Sequence, residues 1–162
     1  MARKNSKKPR LEQKSWSLYP DLHKDVCEIL SEANLHQLKF YPIDDPDACE
    51  RKYNTHIMGR FACKSGTCPS NGWSSKMIAI IIRLYSESRY NARVYHQRCK
   101  RCEALSRPKL DGSYADRVAY RIKIWSGIQV PVPFYLKKKS KGPHNSRLCE
   151  GCKDGHCREL GD

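Results

Sequence analysis

Along the chain, apolar positions first fall into a helical rhythm. Leu22, Val26, Ile29 and Leu30 lie three and four residues apart, which predicts a helix from Pro20 with Asp21 as its cap. The stretch before it, Met1 to about Lys14, has almost nothing to bury and is expected to be a disordered basic arm, drawn to residue 19. Tyr41 to Pro46 form a turn-rich connector whose prolines stop any helix. From Lys76 to Tyr85 the rhythm becomes that of a strand, with Ile78, Ile80 and Ile82 on one face and Ile81 and Arg83 on the other. Ser86 to Ser88 break this run and Tyr90 to Tyr95 resume it, so Trp73 to Gln97 read as a β-hairpin. Ser113 to Trp125 fits both periods; a capping box formed by Ser113 and Asp116, with Gly127 as a stop, decides for helix. Val130 to Phe134 then read as extended, and Lys137 to Lys141 as an exposed basic loop.

These elements are few for 162 residues, of which 39% are hydrophobic and 30% charged, so the apolar core is small. Fixing the backbone costs about 1 to 2 kcal/mol per residue, and loop-rich parts of such a chain need cross-links. Nine cysteines offer them. Disulfides would require an oxidising compartment, yet nine is odd and Ala2 to Arg10 lack the apolar stretch of a secretory signal. Reduced, metal-bound thiols inside the cell, in cytoplasm or nucleus, are the expectation. The longest strongly apolar run, Met77 to Ile82, is far short of the roughly twenty residues that span a bilayer. A formal charge of +14 favours polyanionic partners, nucleic acid first. The basic N-terminal residues Arg3, Lys4, Lys7, Lys8 and Arg10 suit an import signal, a phosphate-binding arm or a solubilising tail.

The cysteines fall into two groups. Cys63 and Cys68 precede the first hairpin strand, and Cys99 and Cys102 follow the second, so antiparallel pairing gathers four thiolates. His144, Cys149, Cys152 and Cys157 form a compact second set among turn formers. Two structural zinc ions are the expected cofactors. An interleaved assignment, with Cys63 and Cys68 meeting Cys149 and Cys152, is the alternative pairing, and His156 the alternative to His144. Cys27 and Cys49 have no neighbouring partner and are expected to be non-ligands. Eight donors for two ions leave no open position for a water, there is no His-Glu-x-x-His, and catalysis is not expected.

Gly59-Arg60-Phe61-x-Cys63, Trp73-Ser74-Ser75-Lys76, Val94 to Cys102 (VYHQRCKRC), His144, Cys149-Glu150-Gly151-Cys152 and Gly155-His156-Cys157 together resemble the three-CxxC-type zinc-finger domain. The likeness runs from about His56 to Cys157, and the lead-in helix LHKDVCEIL is similar to that of fungal members. It implies the same eight ligands, with Phe61, Trp73 and Gln97 as framework. The x4 spacing of the first pair departs from the family's x2 and widens that knuckle. Animal members include receptor-transporting proteins, which assist chemosensory receptors, and zygote-arrest proteins, which bind messenger RNA. No membrane anchor like that of the former is expected here.

The expected fold class is therefore α+β: a small zinc-stabilised domain with a β-hairpin carrying a zinc-ribbon-like site, an N-terminal helix, and a second compact zinc knuckle near the C-terminus. Its expected divisions are 1–19 arm, 20–55 lead-in and connector, 56–158 zinc-binding domain and 159–162 tail. Arg83, Arg89, Arg93, Arg98, Lys100, Arg101 and Arg107 alternate with Tyr85, Tyr90, Tyr95 and His96, which suits single-stranded RNA, since guanidinium neutralises phosphate and an aromatic ring stacks on an unpaired base. The candidate contacts are Arg93, Tyr95, Arg98, Lys100, Arg101, Lys137, Lys138 and Lys139. The alternative is an adaptor for a protein client, docking through Ile81 and the Val130 to Phe134 segment.

Overall fold

The computed structural model describes residues 14–131 and 144–157. The calls on Lys137, Lys138 and Lys139, and on 132–134 of the extended segment, lie outside the described residues. At the centre stand three long antiparallel strands, β3 (Arg51–Phe61), β4 (Trp73–Tyr85) and β5 (Arg89–Tyr95), in the order β5-β4-β3. Two short strands, β1 (Trp16–Ser17) and β2 (Lys39–Phe40), pair with β5 at its two ends, Trp16 opposite Tyr95 and Lys39 opposite Arg89. β6 (Gln97–Arg98) and β7 (Leu105–Ser106) form a separate small hairpin, and β8 (Lys109–Leu110) closes the far edge against β3.

The β4–β5 hairpin forms as predicted, with Ile80 opposite Val94 and Tyr85 opposite Arg89. Glu87 and Ser88 in its loop take positive φ values of 61° and 56°. The largest departure from the sequence reading is β3, which falls partly in the expected connector. Its buried residues Thr55, Ile57 and Phe61 sit at even spacing, but the half-buried Asn54 and His56 of its other face are polar and disguise the strand. The ladder slips between Ile57 and Gly59, a bulge at Met58. A bulge frees backbone groups that must be satisfied elsewhere. Here Ser113 does so: the Met58 N–H donates to Ser113 Oγ at 2.8 Å, and that hydroxyl donates to the Met58 carbonyl at 3.3 Å.

This contact also explains a correction at the helix. α2 spans Ser113–Trp125 as predicted, but Ser113 does not cap it, since its hydroxyl is engaged by the bulge. The Ser113 N–H donates instead to Asp111 Oδ1 at 2.8 Å. Gly127, at φ 79°, ends the helix. The first helix, α1 (His23–Ser31), begins later than predicted, because Pro20–Leu22 form a 3-10 turn and Asp21 caps nothing. Nor are 14–19 an arm: Trp16–Ser17 are in the sheet and Tyr19 packs on Tyr114. The lead-in shares the main core, so the boundary expected at 55/56 falls inside β3.

The sheet is buried on both faces by different agents. On one, Ile57, Phe61, Ile78, Ile80, Ile82, Ala92 and Val94 meet Val26 and Leu30 of α1 and Tyr114, Val118, Ala119 and Ile122 of α2. On the other, Ala79, Ile81 and Tyr95 meet Cys149 and Cys157. The expected docking role of Ile81 is thereby overturned, since it is 1% exposed beneath the second cysteine group. Further along this face Asp44 pairs with both Arg83 and Arg93.

Candidate metal centres and the cleft between them

The first centre forms where the central sheet ends. Phe61 pairs with Trp73, so the loop carrying Cys63 and Cys68 projects from the end of β3 and β4. The β6–β7 hairpin carries Cys99 and Cys102 at its tip to the same place. Cys63 Sγ lies 3.4 Å from Cys102 Sγ, and Cys68 Sγ 3.9 Å from Cys99 Sγ. Bonds of about 2.3 Å to a tetrahedral zinc put sulfurs roughly 3.8 Å apart, so these separations fit. The backbone amides of Cys102 and Arg101 hold the Cys99 thiol down to about 6, as the tight x2 turn requires. This centre is open: Cys99 is buried, Cys63 and Cys68 are half-buried, and Cys102 is exposed.

The second centre is more enclosed. His144 Nε2 lies 3.3 Å from Cys152 Sγ and 3.4 Å from Cys157 Sγ, while Cys149 and Cys157 are buried against the sheet. Cys152 rides on a single turn, α3 (Glu150–Lys153), and Cys149 bridges to Gln97. The Cys149 thiol is held down to about 4, first by its hydrogen bond with Cys157, and the Cys157 thiol is pushed up by the same contact. Each set of four donor atoms lies within 4.8 Å of one another. Three thiolates with one imidazole, and four thiolates, are donor sets that suit zinc.

The pairing is therefore sequential, and the interleaved alternative is excluded. His156 is no ligand: it stacks on Tyr95 and meets Asn54. Cys27 sits 3.3 Å from His23 Nε2 with its thiol pushed up by burial, and Cys49 donates to the Pro46 carbonyl. Neither belongs to a described donor cluster.

Gly151 seats the second knuckle on the sheet. A Cβ there would stand 2.5 Å from Ala79 Cβ and 3.4 Å from Cys157 Cβ. Gly151→Ala should lift the knuckle at a cost of about 1 to 3 kcal/mol. Competition with a chromogenic chelator should then show one zinc leaving earlier, with the other unchanged.

The expected nucleic-acid contacts divide. Tyr95 is 1% exposed, its hydroxyl donating to Asp154, so it offers no stacking face; Tyr85 and Tyr90 are buried too. Arg93 is occupied by Asp44 and lies over the Trp16 ring, and Arg83 is buried against Asp44. Arg89 and Arg107 lie over Tyr41 and Tyr19, and His96 is buried against Ser17. Arg98 donates to Glu150 at 2.8 Å and so ties the two knuckles together. Lys100 and Arg101 remain exposed, on the chelate loop itself. They border a cleft of about 540 Å³ between the two centres, whose lining includes Ser70, Asn71, Trp73, Gln97 and Asn145. Trp73 stacks on Phe61 with centroids 4.9 Å apart and donates to Gln97 Oε1 at 3.2 Å. Of the polar lining, Ser70, Asn71 and Asn145 were missed in the sequence, although each stands within three residues of a ligand.

A family model described as a zinc-binding domain matches residues 56–155. Comparison with curated proteins and with solved structures gives no match.

Proposed function

The chain belongs to the three-CxxC zinc-ribbon family of zinc-binding domains and carries two structural zinc ions, and on that premise we propose that it binds single-stranded RNA through the cleft between them. The observation that carries this reading is the position of Lys100 and Arg101. Both are exposed cations fixed between two ligands, Cys99 and Cys102, beside a cleft that Trp73 lines. Phosphates would meet the cations while an unpaired base enters the cleft against the indole and the amide side chains. A duplex keeps its bases stacked and cannot use such a recess. A formal charge of +14 supports an electrostatic approach.

The zinc ions take no chemical part in this proposal, since four protein donors complete each tetrahedron. A module held by reduced thiolates works in the cytoplasm or nucleus.

Binding of a pooled single-stranded RNA should weaken steeply with salt, and Lys100→Ala with Arg101→Ala should flatten the log–log salt slope by about 1 to 2 while two zinc ions remain bound. Arg98 is left intact in this test because it holds Glu150. Unchanged binding by the double variant rejects the cleft. Salt-independent capture of protein without RNA replaces the reading with that of a client adaptor.

A further inference from the structure

The second centre has a neighbour that no reading of the spacing assigns. His56 projects from β3, and its Nε2 stands 3.2 Å from Cys157 Sγ. It lies outside the four-donor set of His144, Cys149, Cys152 and Cys157. A thiolate bound to zinc carries no proton, so a contact of this length between it and an imidazole nitrogen requires the nitrogen to donate. We infer that His56 is a positioning residue of the second zinc centre, giving its Nε2–H to the Cys157 thiolate and thereby fixing the last ligand of the chain to the sheet.

The surrounding register supports this role. His56 pairs with Ala79, the residue on which Gly151 sits. Two residues back on the same face, Asn54 Nδ2 meets His156 Nδ1 at 3.4 Å. Alternate residues of β3 therefore engage consecutive residues of the knuckle, Asn54 with His156 and His56 with Cys157. Only the second of these contacts reaches a ligand atom. Cys157 has no long element behind it to set its direction, since α3 ends at Lys153. The imidazole supplies that direction and spreads the negative charge of the sulfur, as a hydrogen bond from outside a coordination sphere does.

The test replaces His56→Phe, which keeps ring volume and removes the donor, and His56→Gln, which restores an N–H. In the full chain, His56→Phe should weaken zinc at the second centre by about 10- to 100-fold and leave the first unchanged. In cadmium-substituted protein, NMR should show the resonance of the three-sulfur, one-nitrogen centre shifted and that of the four-sulfur centre in place. His56→Gln should recover part of both. Asn54→Ala, which loses the neighbouring contact but no ligand contact, should leave both resonances where they are. Four results overturn the inference: affinity equal to wild type in His56→Phe, the same loss at both centres, no recovery by His56→Gln, or loss of the nitrogen donor itself in the phenylalanine variant, which would make His56 a ligand in place of His144.

Discussion

Cys149→Ala is expected to bind one zinc where the wild type binds two, and to lose more stability than any single change in the apolar core. A structural zinc site contributes about 10 kcal/mol, comparable with the whole stability of a small domain, about 5 to 15 kcal/mol. Cys149 also joins the knuckle to the β6–β7 hairpin, bridging to Gln97, while Glu150 N–H donates to the His96 carbonyl at 3.2 Å. Without it, Ala79, Ile81 and Tyr95 lose their cover. The opposite face keeps α1 and α2, so far-UV circular dichroism should retain helix while the melting midpoint falls and a hydrophobic dye binds. Native mass spectrometry counts the zinc. Two ions in the variant would reject the ligand assignment.

The second large effect concerns charge. Asp44→Ala should cost about 3 to 5 kcal/mol in urea denaturation, because it removes the partner of a buried cation and leaves that cation in place. The side chains of Asp44 and Arg83 are 4% and 5% exposed, and Arg83 Nε has no hydrogen-bond partner among the described residues. Arg93 loses the same carboxylate. Adding Arg83→Met to Asp44→Ala should recover much of the loss, since a buried pair replaced by apolar volume is often near neutral. A loss below 1 kcal/mol in the single variant would show that Arg83 finds water or another acceptor. Because Asp44 lies in a loop distant from both centres in sequence, zinc content should not change.

What could be read from the sequence follows the range of the forces involved. The β4–β5 hairpin was legible because its periodicity is local, and both metal centres because ligand spacing is local too; α2 fits both periods and was read from its end signals, of which the Gly127 stop holds. β3 was not, because half-buried polar Asn54 and His56 alternate with buried Thr55 and Ile57, and the apolar pattern is diluted. Ser113 read as a cap since its hydroxyl suits one, yet the bulge at Met58, fifty-five residues earlier, competes for it. Tyr95 and Arg93 looked like an RNA surface because a strand shows which residues share a face but not what will cover it. The cover comes from Asp44, Asp154 and Trp16, none adjacent in sequence. Lys100 and Arg101 escaped that fate because two metal ligands flank them closely and hold them outward.

The closure of one sheet face by a C-terminal knuckle sets an order of events during synthesis. By the time Cys102 has left the ribosome, β3, β4, β5 and all four ligands of the first centre are available. Cys157 follows 55 residues later (157 − 102). At about 5 to 20 residues per second this is an interval of roughly 3 to 11 s. Through that interval Ala79, Ile81 and Tyr95 lack their cover, and once α2 is complete at Trp125 the sheet has one face closed and the other open until Cys157 emerges.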